Sequence, residues 1–354
     1  MTKLRITVVI LAYGEERYLS DCVGAVLAST GEDTEVVLID NGAPAAVSSL
    51  PAHPRMQILL SPINLGFAGG CNYGASFARG ENLIFLNSDA IVDAEAITRL
   101  ADAVSDDAVG LVCGGIRLAD APDTMNSVGN PVHYLGVVWA GGFGDPADLH
   151  GDVVDVASAS GAFLCIRRKV WESLGGFNDQ YFAYHEDTEL SLRAWQRGSR
   201  VQFVPSAVAR HHYEFSRNPN KQYLLERNRW LTVLTVYPTP LLRLVLPALV
   251  MFDVALCIVA FRQGWLAAKL RSWWWLARHR KLIADRRRFV QAASVISVEQ
   301  FAALLSSRIE PAMIERPPGL HLLNKLLEAY WAVVLRLVKT TQAEAAREDP
   351  AQSA

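Results

Sequence analysis

Apolar residues in this chain come in short unbroken runs separated by amphipathic stretches. Ile6 to Ala12 and Glu35 to Ile39 are rich in β-branched residues, Gln57 to Leu60 is shorter, and Leu83 to Leu86 is four consecutive apolar residues after the turn signal Arg79-Gly80-Glu81-Asn82. Such runs predict strands buried on both faces, the pattern of a parallel sheet. Gly110 to Leu118 and Val201 to Val204 predict two more. Helical patterns occupy the stretch through Ala28, Asp93 to Val104, and the turn set by Leu190, Ala194 and Trp195. The order strand, helix, strand, strand, helix, strand through residue 92 predicts a doubly wound α/β domain. From Asp120 to Val156 the chain reads as loop, with Gly129-Asn130-Pro131, Gly141-Gly142-Phe143-Gly144 and Asp145-Pro146.

After Tyr237-Pro238-Thr239-Pro240 the pattern changes. Leu241 to Phe261 has the length of a bilayer-spanning helix, but Arg243, Pro247 and Asp253 interrupt it, and a central Asp is costly in lipid. An interfacial or re-entrant helix is the first reading, a true span the second. Residues 262–288 set Arg and Lys around Trp273-Trp274-Trp275, which suits anionic headgroups. The alternative is a helical extension packed on the rest of the chain or on a second subunit. Pro317 and Pro318 precede an amphipathic stretch from Leu320 to Val338, and the end after Thr340 reads as disordered.

At 354 residues the chain has room for two lobes, or for a domain with an extension. Its 34 basic and 36 acidic residues give no global case for nucleic acid. Five scattered cysteines, without metal-ligand spacing, fit a reducing cytosol. The run from Met1-Thr2-Lys3-Leu4-Arg5 straight into a strand carries no export pattern, so the active part is expected to face the cytoplasm.

Candidate chemistry gathers where strands end. Asn87 and Asp89 stand two apart after Leu86, so in extended geometry they point the same way, and two oxygen-bearing side chains there suit a hard divalent cation shared with phosphate. An Asx turn without ligand is the alternative. Asp40, closing the second strand, suits a ribose hydroxyl or base edge, or else a simple Asp-Asn-Gly turn. Asn64-Leu65-Gly66-Phe67-Ala68-Gly69-Gly70 has neither P-loop nor GxGxxG spacing, and reads as a close-packed helix start that lets backbone approach a nucleotide. Tyr134, Trp139 and Phe143 either stack on sugar rings or pack. Glu186 and Asp187 lie near a helix start, where acids stabilise the dipole by roughly 0.3–1 kcal/mol or act as a base.

Val8 to Tyr13, Asp40-Asn41-Gly42, Asn64 to Gly70 and Asn87-Ser88-Asp89 together resemble family 2 glycosyltransferases of the GT-A fold, and the likeness covers roughly residues 5 to 235. It implies a Rossmann-like, mostly parallel mixed sheet with helices on both faces, followed by the helical hydrophobic extension. The implied division is a nucleotide-sugar half at 1–115, an acceptor and catalytic half at 116–236, a membrane-associating extension at 237–340 and a tail at 341–354. By the same likeness Asp40, Asn64, Gly66, Gly69 and Asn87 contact the donor, and Asp89 holds Mn2+ or Mg2+. Tyr184-His185-Glu186-Asp187 resembles the family's ED element, which makes Asp187 the base and has Glu186 contact acceptor hydroxyls or hold Asp187 in place, unless the adjacent acids exchange roles; Gly161 and Trp139 are further candidates on the acceptor side. His211-His212 followed by Ser216 is similar to the H-x-x-G-x-S segment of rhamnosyltransferase-like members, with Glu214 in place of Gly; it implies His211, with His212 close behind, as a metal ligand. Arg217, Lys221 and Arg227 reach the diphosphate, or else form a solvated basic helix face. The chain departs from the family pattern at Ala12 and Ala43, and lacks the Gln-x-x-Arg-Trp signature of processive synthases.

The expected reaction is metal-dependent transfer with inversion, moving a sugar from a nucleotide diphosphate to a hydroxyl of a lipid-linked or cell-surface glycan. dTDP-rhamnose is the donor the His211 segment favours. The expected setting is the cytoplasmic face of the cell membrane, with polyprenyl-linked acceptor and membrane surface as partners, no nucleic acid, and homo-oligomerisation open. A sugar nucleotidyltransferase would need a Gly-rich loop after the first strand, where Tyr13-Gly14-Glu15-Glu16 stands. A catalytically inactive sensor or scaffold is the non-enzymatic alternative.

Overall fold

A computed structural model describes residues 4–212, 219–310 and 319–348, with side chains to Thr340. The chain divides into two compact units: Met1–Asn130 with Ala140–Pro219, and Pro131–Trp139 with Asn220–Ala354.

In the first unit the elements are β1 (Ile6–Ala12), α1 (Leu19–Ser29), β2 (Thr34–Asp40), α2 (Pro44–Ser48), β3 (Met56–Leu60), α3 (Gly66–Ala75), β4 (Asn82–Asn87), β5 (Ala90–Val92), α4 (Ala96–Ala103), β6 (Val109–Leu118) and β7 (Ala121–Ser127). A two-residue strand β8 (Val132–His133) belongs to the second unit. The first then resumes with β9 (Val154–Asp155), β10 (Phe163–Arg167), α5 (Arg168–Leu174), α6 (Glu186–Gln196) and β11 (Arg200–His211).

One mixed sheet runs β3-β2-β1-β4-β10-β6-β11-β5, with β7 on β6 and β9 on β11. The β3, β2, β1 and β4 strands are mutually parallel, and β10 enters antiparallel between β4 and β6. Alternate side chains feed two cores. Val8, Ile10 and Ile84 pack with Cys22, Val26, Ile97 and Leu100 on one face; Val9, Phe85 and Leu164 pack with Ala68, Cys71, Trp171 and Leu190 on the other. Helices thus cover both faces, as the uninterrupted apolar strands require.

The small residues of α3 have a packing reason. A Cβ on Gly70 would fall 2.3 Å from Leu11 Cδ1, and one on Gly66, at φ +69°, would fall 2.4 Å from the carbonyl oxygen of Phe182. The helix therefore lies close on β1 and against the loop before α6. Asn72 ties the same loop down, accepting from Phe177 N at 3.0 Å and donating to its carbonyl at 2.9 Å.

The loop expected over 120–156 is corrected in part: β7, β8 and β9 fall within it. Ala121-Pro122-Asp123-Thr124-Met125-Asn126-Ser127 has no apolar run, and pairs with β6 through two register shifts, so neither period nor composition marks it as a strand. Val201–Val204 also extends further than its apolar run, as β11 continues to His211 past an irregularity at Pro205.

The second unit is helical: α7 (Lys221–Val236), α8 (Thr239–Arg262), α9 (Leu266–Arg278), α10 (Arg280–Ala292), α11 (Val298–Ala303) and α12 (Leu320–Glu348), with β12 (Leu305–Ser306) pairing β8. Helix α7, expected in the catalytic half, belongs here because it packs on α9 and α10. Tyr134 is core, not a sugar platform: its ring stacks on Trp331 at 4.7 Å and its hydroxyl donates to the Leu327 carbonyl.

Candidate active site

The carboxyl end of the first unit's sheet gathers two polar centres. At the first, β4 ends at Asn87 and the chain passes Asp89 into β5, which pairs antiparallel with the end of β11 so that His211 lies opposite Ala90. That register sets His211 Nε2 3.1 Å from Asp89 Oδ1 and 3.3 Å from Asn87 Nδ2. On its other side, Nδ1 lies 3.0 Å from Asn126 Oδ1 on β7. With Nδ1–H assigned as donor to that amide oxygen, the single Nε2 lone pair lies between the Asn87 amide and the Asp89 carboxylate oxygen. A nitrogen and a carboxylate oxygen so close are bridged either by a proton or by a metal cation. Carboxylate oxygen and imidazole nitrogen suit Mn2+ or Mg2+. Among the described residues no group of three or more His, Cys, Asp or Glu forms a metal-holding set. The pair by itself offers an ion one carboxylate oxygen and one imidazole nitrogen.

His212 is turned elsewhere. Its ring stacks on Tyr18 at 3.5 Å, nearly parallel, while its N–H donates to the Asp89 carbonyl at 2.9 Å. His211 is thus the histidine that presents its ring to Asp89.

The second centre is the start of α6. Tyr184 and His185 have φ of 70° and 68°, and Phe182 63°, so three of the four residues before the helix hold positive φ. Strain of this kind persists only where surrounding contacts enforce it, here the α3 packing. Asp187 Oδ2 accepts from Gly161 N at 2.9 Å and from Asn130 Nδ2 at 3.3 Å, and Oδ1 accepts from Thr188 N at 2.7 Å. Burial pushes this half-buried carboxyl above the usual carboxylate range, and the Gly161 and Thr188 N–H donors pull it back. Glu186 is 6% exposed, and its Oε2 is buried without a hydrogen-bond partner among the described residues. Burial, and then the neighbouring Asp187 charge, holds its carboxyl well above the usual range. The two acids therefore differ: Glu186 is raised further, its burial offset only by its own backbone N–H, while Asp187 has donors on neighbouring residues that favour its carboxylate.

Of the other candidates, Asp40 caps its own turn, Oδ1 accepting from Gly42 N at 3.0 Å and Ala43 N at 2.8 Å, while Oδ2 takes part in neither bond. Asn64 Oδ1 accepts from Asn41 Nδ2 and Gly66 N, which fixes the approach to α3. Gly69 lies inside α3, and Gly161 is the Asp187 donor. Arg217 lies outside the described residues. Trp139, Lys221 and Arg227 belong to the second unit. There the solvated-face alternative is corrected for Arg227, which is buried with its guanidinium 4.9 Å from the Trp275 ring centre. Lys221 is half-buried, which lowers its ammonium to about 8.

Residues missed in the sequence are Asn126, Asn130 and Tyr18. Asn126 and Asn130 sit in the stretch read as loop, and Tyr18 precedes a helix with nothing local to mark it.

A ten-stranded mixed sheet covered on both faces, with Asn-Ser-Asp at the end of a central strand and Glu-Asp opening a helix, is an arrangement of the GT-A fold. Residues 7–173 match the profile described as Glycosyl transferase family 2, and that stretch is a glycosyltransferase domain of that family. The chain is 28% identical over 233 residues to O-antigen biosynthesis protein RfbC of Myxococcus xanthus, covering 62% of this chain and 18% of that protein. It is 26% identical over 230 residues to N-acetylglucosaminyl-diphospho-decaprenol L-rhamnosyltransferase of Mycobacterium tuberculosis, covering 58% and 75%. Probable glycosyltransferase YdaM of Bacillus subtilis is 25% identical over 177 residues, which make up 49% of this chain and 40% of that protein. The chain thus spans well under half the length of two of these three relatives. Among solved structures, the crystal structure of GalNAc-T7 with UDP, GalNAc and Mn2+ superposes with a TM-score of 0.56 at 18% identity, over 67% of this chain and 48% of that one, a likeness of fold.

Proposed function

We propose that this chain transfers a sugar, with inversion, from a nucleoside diphosphate to a hydroxyl of a lipid-linked or cell-surface glycan. The observation that carries this reading is the contrast between the adjacent acids. Asp187 accepts from three N–H donors, which favour its carboxylate form, and Glu186 beside it is buried with its carboxyl held well above the usual range. Asp187 takes the proton from the acceptor hydroxyl as that oxygen attacks the anomeric carbon from the side opposite the leaving diphosphate, which inverts the configuration. Glu186, with a buried oxygen ready for a hydroxyl donor, orients the acceptor together with Gly161.

Asp89 and His211 would hold Mn2+ or Mg2+, which when bound neutralises charge gathering on the departing diphosphate. Asp40 Oδ2 reads the nucleoside, Asn64, Gly66 and Gly69 shape its bed, and Asn87 borders the diphosphate. The rhamnosyltransferase relative supports rhamnose as the sugar and a polyprenyl-diphosphate-linked sugar as acceptor, and dTDP-rhamnose is the donor we assign. Five free cysteines support a cytoplasmic setting.

The test is nucleoside diphosphate release by purified protein across UDP-, GDP- and dTDP-sugars, with membrane lipid extract as acceptor source, with and without Mn2+ or Mg2+. Release from one donor that needs both metal and extract is the expected result. Bound nucleotide with no release under any combination overturns the transfer assignment in favour of a sensor.

A further inference from the structure

Helix α8 is 24 residues long with a mean hydropathy of 2.6 over its most apolar stretch, long enough to cross a bilayer. Its two faces differ. Leu241, Val245, Leu249, Asp253 and Ala260 form a buried row within the second unit. Asp253, 3% exposed, accepts from Lys269 Nζ at 2.8 Å and from Trp273 Nε1 at 2.7 Å, both on α9, and pairs with Arg229 on α7. Glu226 closes the network, bonded to Arg229 at 3.0 Å and to Lys269. Two acids and two bases thus balance one another in the helical interior. A crossing helix would have to strip Asp253 of these partners or carry three more ions into hydrocarbon, both costly.

The opposite face is apolar and exposed along Leu246, Val250, Met251, Val254, Ile258 and Phe261, bracketed by exposed Arg243 and Arg262. Next along the chain, Trp273 turns inward to Asp253, while Trp274 is 61% exposed with the Arg278 guanidinium 5.2 Å from its ring centre. From Arg262 to Arg288 there are nine Lys or Arg and one acid, Asp285. A second copy of α8 laid antiparallel on this face would set Arg243 of one chain against Arg262 of the other, a like-charge meeting at each end. Anionic headgroups complement the same charges, and acyl chains the row between them.

We infer that α8 lies in the plane of an anionic bilayer, its Leu246-to-Phe261 face sunk among the acyl chains and its Asp253 row retained by the protein. This goes beyond the proposed transfer reaction, since it concerns lipid alone and holds whatever sugar is moved.

The experiment uses the full chain with preformed vesicles of phosphatidylcholine, with and without phosphatidylglycerol, in a flotation assay. Binding at least tenfold tighter to the anionic vesicles is expected. The double variant Val250→Glu/Val254→Glu, whose changes are both at exposed positions, should weaken it at least tenfold, with an unchanged circular dichroism spectrum and nucleotide affinity. In the unsubstituted protein, brominated lipid should quench tryptophan fluorescence, and Trp274→Phe should remove part of that quenching. Arg243→Cys and Gln263→Cys, introduced one at a time in a Cys257→Ser background whose four other cysteines are buried, should both react with an impermeant maleimide added outside. Protection of one end shows a crossing helix and overturns the proposal. So does vesicle binding indifferent to lipid charge and to the double variant, or a lipid-free dimer that the double variant dissociates, which would assign the face to a second copy.

Discussion

Asn126 Oδ1 and His211 Nδ1 lie 3.0 Å apart, joined across 85 residues of chain. The bond fixes the imidazole so that Nε2, and not Nδ1, faces Asp89. Removing the amide frees the ring to rotate and to change tautomer. Asn126→Ala is expected to weaken Mn2+ affinity about 10- to 100-fold, read by electron paramagnetic resonance titration with nucleoside diphosphate present. Asn126→Asp, which keeps an acceptor, should recover most of it. Unchanged affinity in the Ala variant would remove Asn126 from the metal site.

Asp187→Asn keeps the side chain's shape and withdraws its basicity. Transfer should fall by about 10²–10⁴-fold, while donor affinity measured by calorimetry stays within a factor of a few. Turnover close to that of the parent enzyme would strip Asp187 of the role of base.

The acid limb of the pH profile follows from the same group. Burial raises the Asp187 carboxyl, so the reactive carboxylate is lost at a higher pH than for an ordinary Asp. Activity should therefore decline on acidification from a midpoint above the ordinary value of 3.8, reported as an apparent constant of the Glu186–Asp187 pair. A kcat/KM profile flat down to that value contradicts the environment described.

Glu186 makes a separate prediction for stability. Its folded-state carboxyl is raised well above 4.5, so the folded protein binds the proton more tightly than the unfolded chain. Stability from this group is complete below 4.5 and is lost as pH rises through the folded value. Glu186→Gln carries no charge to bury, so its thermal midpoint relative to the parent should rise between pH 5 and pH 8. A constant difference over that range would show that Glu186 is not buried as a proton carrier.

Gly66→Ala tests the bed of the site. A Cβ there meets the Phe182 carbonyl at 2.4 Å in a backbone conformation that L residues avoid. A loss of about 2 kcal/mol in urea unfolding is expected, along with reduced turnover, because Phe182 leads directly into the loop that sets Glu186 and Asp187.

Local rules carried much of the reading. Unbroken apolar runs specify doubly buried strands, so β1, β2, β4 and β6 and the two-sided helical cover were legible, as was the placement of Asn87 with Asp89 and of Glu186 with Asp187, because neighbours in sequence stay neighbours in space. Asn126 was not legible: its strand lacks an apolar run and takes its conformation from pairing with β6. Nor was the choice between His211 and His212, which depends on one residue of register against β5 and on the Tyr18 ring.

In α8 the sequence by itself determined an apolar helix with a misplaced Asp, basic ends and tryptophans nearby. Only the tertiary structure decided that Asp253 meets Arg229, Lys269 and Trp273, 24, 16 and 20 residues away, and so faces protein. Periodicity reports which side of an element avoids water; it is silent on which elements share that side. Hydrogen bonds and ion pairs between separate elements depend on packing and strand register, which no single stretch of chain encodes.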